Sequence, residues 1–438
     1  MSSLTSPPPC PLPPVPFPSP LPSVDTPSLI LSLPRVHANL TLMRSTIAEL
    51  GVDLRPHVKT HKCVELAELC IRKQPLSDDP FPGGGATGLC FQVLDELQPC
   101  LDSIDMFSPL NHGNPKLPGN KLDFFLTSQV LHPPKLRRLF ELASAHEETT
   151  LISVMVDAVS NLETLAELSA SHKTNLGVFV EVNVGQNRTG LPVTDDTLST
   201  IVEMAEKIEK APYLTYRGLH AYQGVLQHTR DSELRAAEIK SAVDLARTAR
   251  DALAEAGLPP PVVTGAGTAS YHEEARLGVH NEVQPGSFML MDTDYGDNRK
   301  RADDEAPDFQ HALWIHSSVM STAMDERKVI IDAGSKAVDL VSGVPSFTDQ
   351  ADNWGMNGVR KDESVEFSSG GDEHGILTLK GGEYDQEKVV GADSGTVRLL
   401  PRHIDPQMNM HDRILVIEEE GSNVVTKAWN VHGRGPGF

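Results

Sequence analysis

Positive charge is in short supply in this 438-residue chain, where 38 Lys and Arg stand against 60 Asp and Glu for a formal net charge of −22. Such a balance excludes nucleic acid and anionic membrane surfaces as expected partners, and any anionic ligand must meet a locally basic site. Long apolar runs are missing as well. None approaches the ~20 residues that cross a bilayer, so no membrane partner is expected. Cysteine is scarce: Cys10, Cys63, Cys70, Cys90 and Cys100 are odd in number and show no C-x-x-C spacing. That pattern suggests neither a disulfide framework nor a zinc cluster, and it fits a reducing compartment such as the cytoplasm. No Lys or Arg precedes Arg35, so the start lacks the charged lead of a secretory signal and the arginines of a mitochondrial transit peptide. Residues 1–25 read instead as a proline-rich, disordered tail. The Asn-x-Thr triplets at Asn39 and Asn187 are then chance matches to a glycosylation pattern.

What is present is alternation. After an apolar strand at 27–33 and a helix at 35–50, strands are expected at 52–60, 86–91, 122–127, 151–156, 177–184, 215–222 and 261–264, with a last short one at 286–291. Helical patterns separate them at 61–73, 93–101, 134–145, 161–170, 196–208 and 232–256. About eight such units imply a closed (β/α)8 barrel of parallel strands over 26–297. The runner-up, a doubly wound open sheet, lacks a G-x-G-x-x-G near its start. From 298 to 438 the runs become short, β-branched and punctuated by Gly, Asp and Pro, the pattern of an all-β domain of antiparallel strands. The strand at 27–33 could join it, and 298–308 reads as a charged linker.

The chemistry-bearing residues gather at strand ends. Arg55-Pro-His-Val-Lys-Thr-His-Lys62 puts Lys59 at the carboxyl end of a strand, with Arg55 and Lys62 as neighbouring cations expected to lower its pKa. A basic strand end solvated at a surface is an equally good reading of that stretch alone. Arg188 follows the strand at 177–184 and suits a phenolate or carboxylate, though a surface arginine also fits; Tyr222 ends the next strand, and His228 lies shortly beyond. Gly265, Ala266, Gly267 and Thr268 after the seventh strand, with Gly286 and Ser287 after the eighth, place glycines and hydroxyls where this kind of barrel cradles a phosphate. A phosphate cradle facing a strand-end lysine suggests pyridoxal 5′-phosphate. His403 and Asp405, two apart and hence on one face of an expected strand, suit a divalent cation, Mn²⁺, Mg²⁺ or Zn²⁺. His374 reads as a hydrogen-bonded turn histidine.

Taken in order, the lysine motif, Thr264-Gly-Ala-Gly-Thr268, Glu282-Val-Gln-Pro-Gly-Ser287, Asp292-x-Asp-Tyr295, Asp332-Ala-Gly334, Glu373-His-Gly375 and His403-x-Asp405 resemble the D-threonine aldolase and D-serine dehydratase family, whose barrel is of the alanine racemase type. The resemblance implies that Lys59 forms a Schiff base with pyridoxal phosphate, Arg188 faces its phenolic oxygen, Tyr222 lines its ring and the two loops hold its phosphate. It also implies a metal on His403 and Asp405, a D-3-hydroxy amino acid as the small-molecule substrate, and a homodimer. Dehydratases of the family carry His-x-Cys where this chain has His-x-Asp, which favours cleavage to glycine and an aldehyde with His228 as base. A D-serine or D-3-hydroxyaspartate dehydratase is the alternative, and a non-catalytic pyridoxal-phosphate-binding protein is a further one. Two features depart from the family pattern: Ala266 where glycine is common, and the proline-rich tail.

Overall fold

The computed structural model describes residues 15–77, 79–300, 305–323, 327–348, 364–380 and 395–435. Most of the proline-rich tail, with Cys10, and part of the 298–308 linker lie outside these residues. Eight parallel strands follow one another around a ring: Asp53–Leu54, Leu89–Phe91, Leu122–Leu126, Thr150–Val156, Leu176–Asn183, Leu214–Ala221, Val262–Gly265 and Glu282–Val283. The eighth pairs with the first, and the ring closes between first and second through a parallel bridge from His57 to Cys90. Helices cover the outside of the strands, while Cys90, Phe125, Met155 and Phe179 fill one part of the inside and the buried charges of Arg55, Asp123, Arg217 and Glu282 another. Phe125 and Phe179 stack there at 4.3 Å between ring centroids. Helix Ser232–Glu255 is set by Asp231, whose carboxylate accepts the N–H groups of Glu233 and Leu234 before the apolar face begins.

The first and last strands are shorter or displaced relative to expectation. The first spans two residues, not nine, because beyond Arg55 the chain coils into a 3-10 turn, Val58–Thr60, in which the His57 ring accepts the Lys59 N–H. The eighth lies at Glu282–Val283, and the glycine-bearing stretch beyond it makes a second 3-10 turn, Ser287–Met289. The alternation of polar and apolar residues at 52–60 is thus a strand end leading into a turn, which is what lifts Lys59 out of the sheet.

The second sheet runs in the order Val365–Ser369, Gly375–Leu379, Lys328–Ile331, Leu313–Ala323, Ser28–Ser32, Arg413–Ile417, Lys427–Asn430, with Thr396–Leu400 also on Leu313–Ala323. Its pairs are antiparallel except one: Ser28–Ser32 runs parallel to Arg413–Ile417. The early strand therefore belongs to the β sheet, wedged between two late ones. No helix among the described residues is long and apolar enough to cross a membrane.

Candidate active site

Lys59 sits in the middle of the turn after the first barrel strand, and its ammonium reaches across to the carboxylate of Asp405 in the β domain. The barrel lysine and the His-x-Asp pair, far apart in sequence, thus meet within one chain. Burial opposes charge on Lys59, but Asp405 foremost and Tyr222 after it outweigh burial and hold the amine above its ordinary pKa. The expectation that Arg55 and Lys62 depress that pKa is overturned. Arg55 points away, with Nε and Nη2 on Glu282 at 2.7 and 2.9 Å and Nη2 on Asp123 at 2.9 Å. Lys62 is near, yet the Asp405 charge outweighs it.

His403 and Asp405 do not lie on a strand either. His403 is the residue before the short helix Ile404–Asn409, and Asp405 is in its first turn. The His403 Nδ1 lies 2.8 Å from Asp292 Oδ2, which fixes the ring and leaves Nε2 for another partner. Burial opposes protonation of His403 but the Asp292 carboxylate, then Asp405, raise its pKa. Asp405 is held well below the carboxylate range: burial pushes it up, and Lys59, His403 and Lys62 together more than reverse that. Its Oδ1 is buried with no hydrogen-bond partner among the described residues. An acceptor stranded in this way, beside a histidine whose Nε2 has no partner among the described residues, offers two of the donors that a divalent cation could use.

His228 stands opposite. Its Nδ1 is 2.6 Å from Asp294 Oδ2, and its ring centroid is 6.3 Å from that of His403, with the Tyr295 ring 5.7 and 5.6 Å from the two. Asp294 also binds Arg230 and, at 2.8 Å, Arg402. Burial pushes Asp294 up, but His228, Arg230 and Arg402 bring it to about 2, so it remains an anion that can hold His228 in one tautomer. Tyr222 is half-buried beneath this rim, and the exposed Arg188 lies over it, its guanidinium carbon 5.9 Å from the ring centroid.

The two glycine loops are joined by the amide of Phe288, which donates to Thr268 Oγ1 at 3.2 Å. Gly267 donates to Ser270 Oγ at 3.1 Å, while the amides of Ala266, Thr268, Gly286 and Ser287 have no acceptor among the described residues. Four unspent N–H groups on adjoining loops fit an anion such as the phosphate of pyridoxal phosphate. Glycine is required here for space as well: a Cβ on Gly286 would lie 2.4 Å from Thr60 Oγ1, and one on Gly267 would lie 2.5 Å from the Gln227 side chain. Ala266 takes a left-handed conformation, φ 65°, where glycine is freer.

Asp292 and Asp294 were present in the sequence only as an alternating pair within a motif. Their roles, orienting His403 and His228, depend on a contact that spans 111 residues in one case and 66 in the other. Lys62 stood out in the sequence only as a cation near Lys59, and the Ser270–Gln227 contact at 2.8 Å beneath the first glycine loop carried no sequence signal.

Residues 31–294 match the family described as alanine racemase, N-terminal domain, and residues 312–417 match the serine dehydratase domain. The chain is 33% identical to a D-threonine aldolase of Arthrobacter sp., over 94% of this chain and 93% of that one. It is 32% identical to a 3-hydroxy-D-aspartate aldolase of Paracoccus denitrificans, over 95% and 93%. Identity to the D-threo-3-hydroxyaspartate dehydratase of a Delftia species is lower, 24% over 87% and 91%. Among solved structures, the D-threonine aldolase of Filomicrobium marinum superposes with a TM-score of 0.80 at 30% identity, covering 97% of this chain and all of that one. The chain therefore belongs to the alanine racemase N-terminal domain family, in the group that holds the D-threonine aldolases.

Proposed function

We propose that the protein is a pyridoxal-phosphate- and divalent-metal-dependent lyase that cleaves D-3-hydroxy amino acids to glycine and an aldehyde. The observation that carries this reading is the Lys59–Asp405 contact, which sets the lysine, the His-x-Asp pair and His228 around one space. When bound, pyridoxal phosphate supplies an electron sink at the substrate α-carbon, and the cation supplies a Lewis acid for the β-hydroxyl. Lys59 would hold the cofactor aldehyde, the amides of Ala266, Thr268, Gly286 and Ser287 its phosphate, and Arg188 with Tyr222 its ring side. His403 Nε2 and Asp405 Oδ1 would hold the cation.

The chain's own part is proton handling and orientation. Asp294 keeps the His228 Nδ1 side engaged, so Nε2 is the atom that takes the β-hydroxyl proton as the Cα–Cβ bond opens. Lys59, released from Asp405, is placed to return a proton to the α-carbon of the glycine product. Identity to both D-threonine and 3-hydroxy-D-aspartate aldolases at nearly equal levels supports the aldolase outcome without fixing the side chain. Four cysteines, Cys63, Cys70, Cys90 and Cys100, are buried and unpaired, which supports a reducing, cytoplasmic setting. A homodimer is part of the proposal and is read by light scattering.

The deciding assay incubates the purified protein with D-threonine, with and without a chelator. Acetaldehyde and glycine, lost on chelation and regained with Mn²⁺, are the expected products; 2-oxobutanoate and ammonia instead would mean a dehydratase.

A further inference from the structure

Lys62 is a buried ammonium, 9% exposed, with no carboxylate ion pair among the described residues. Its Nζ donates to two main-chain carbonyls, that of Lys59 in the barrel and, at 3.1 Å, that of Asp405 in the β domain. Its own carbonyl accepts the amides of His432 at 2.9 Å and Gly433 at 3.3 Å, near the end of the chain. That segment is tied back to the Asp405 helix, since Asn409 exchanges two hydrogen bonds with Gly435, at 2.9 and 3.0 Å. Lys62 holds a left-handed backbone, φ 52°, which disfavours any side chain with a Cβ and is sustained by these contacts. Around its ammonium lie the charges of Asp405, Glu96 and Lys59.

We infer that Lys62 is a positioning residue that fixes the Lys59 turn against the Asp405 helix. This rests on the lyase reading above. The direct Lys59–Asp405 ion pair is the link between the two segments that cofactor binding must break. The Lys62 bonds go to carbonyls, not to the reacting side chains, so they persist when that pair parts. They also keep a cation beside Asp405 after Lys59 is engaged elsewhere.

The test compares wild type with Lys62→Met and Lys62→Arg, as full-length protein, by Mn²⁺ titration followed by electron paramagnetic resonance, pyridoxal phosphate uptake by absorbance, and far-ultraviolet circular dichroism. Lys62→Met is expected to fold, to weaken Mn²⁺ binding about 10- to 100-fold and to lower kcat more than it raises KM, as losing the support of a metal ligand does. Lys62→Arg, which can still donate to both carbonyls, is expected to recover most of the loss. Should Lys62→Met not fold, Asn409→Ala loosens the same bracket from the other side and is expected to weaken Mn²⁺ binding to a smaller degree. Wild-type Mn²⁺ affinity and kcat in a folded Lys62→Met, or in Asn409→Ala where that is the variant measured, overturn the positioning role and leave the lyase reading intact. A wild-type protein that takes up neither Mn²⁺ nor pyridoxal phosphate overturns both.

Discussion

Arg55 and Lys59 are four residues apart, yet they live in opposite electrostatic regimes. Arg55 is fully buried among the barrel strands with Glu282, Asp123 and, through Asp123, Arg217 at 2.6 Å. Asn114 adds a hydrogen bond to Asp123 at 2.9 Å. Burial raises the Asp123 pKa, but the two guanidiniums bring it to about 2. Here a planar, permanently charged donor meets carboxylates that cannot leave, an arrangement whose only task is to stay put. Lys59 is the reverse: its side chain is 32% exposed, and the one carboxylate it pairs with among the described residues comes from the β domain. The same strand end thus carries one cation that is locked and one that is poised. The difference lies in how many fixed partners surround each, since both sit on the same scaffold.

Four substitutions sharpen or break that contrast. Lys59→Ala, at the poised end, is expected to abolish D-amino acid turnover and the yellow colour of the loaded protein while leaving its urea midpoint nearly unchanged; retained colour and turnover would remove the basis of the functional reading. Arg55→Met, at the locked end, strips Glu282 of its guanidinium and leaves Asp123 with Arg217 alone, and is expected to cost about 3–5 kcal/mol of stability. The folded fraction should keep its kcat, which denaturant titration and active-site counting together can show.

Glu274 is the third case, a buried carboxyl with no Lys or Arg paired to it among the described residues. Burial raises it to about 7, and its neighbour His280 is pushed by burial down to about 4 and so stays neutral. Between the ordinary carboxyl value and about 7 the folded protein binds a proton that the unfolded chain has released. Stability conferred by the protonated form is therefore complete at low pH and is lost as pH rises toward neutrality, by about 3 kcal/mol in all. Glu274→Gln should flatten that decline when urea midpoints at pH 5 and pH 8 are compared; an unchanged slope would mean the carboxyl is already ionised. The smallest effect is expected of Asp294→Asn, which leaves His228 in place with a weaker anchor. It should lower kcat about 10-fold with little change in melting temperature.

The contrast also explains what could be read in the chain beforehand. Strand and helix alternation carries its own period, so the barrel and most helix limits follow from local pattern; the helix expected at 232–256 is observed at Ser232–Glu255. Lysine, glycine loops and the His-x-Asp pair were visible because their residue types are unusual at strand ends. Misreadings arose where local pattern and tertiary setting part company. Arg55 looked like a cation near Lys59 because the two are close in sequence, whereas its partners, Asp123 and Glu282, lie 68 and 227 residues away. The eighth strand was placed at 286–291 because its apolar residues are there, but the ladder pairs Glu282, a charged residue that reads as a loop until Arg55 neutralises it. His403 and Asp405 looked like strand neighbours because two-residue spacing fits a strand; a proline after Asp405 in fact lies within a helix's first turn, where its missing N–H does no harm.

The placement of Ser28–Ser32 carries a consequence for how the molecule is made. Leu29, Ile30 and Leu31 are fully buried between partners that begin at Leu313 and Arg413. During synthesis this aliphatic segment emerges before either partner and waits, unpaired, until the strands at Leu313 and Arg413 have left the ribosome. Truncation anywhere before those partners leaves a bare sheet edge that recruits other nascent chains, so production of shortened versions should give aggregates where the full-length polypeptide stays dispersed.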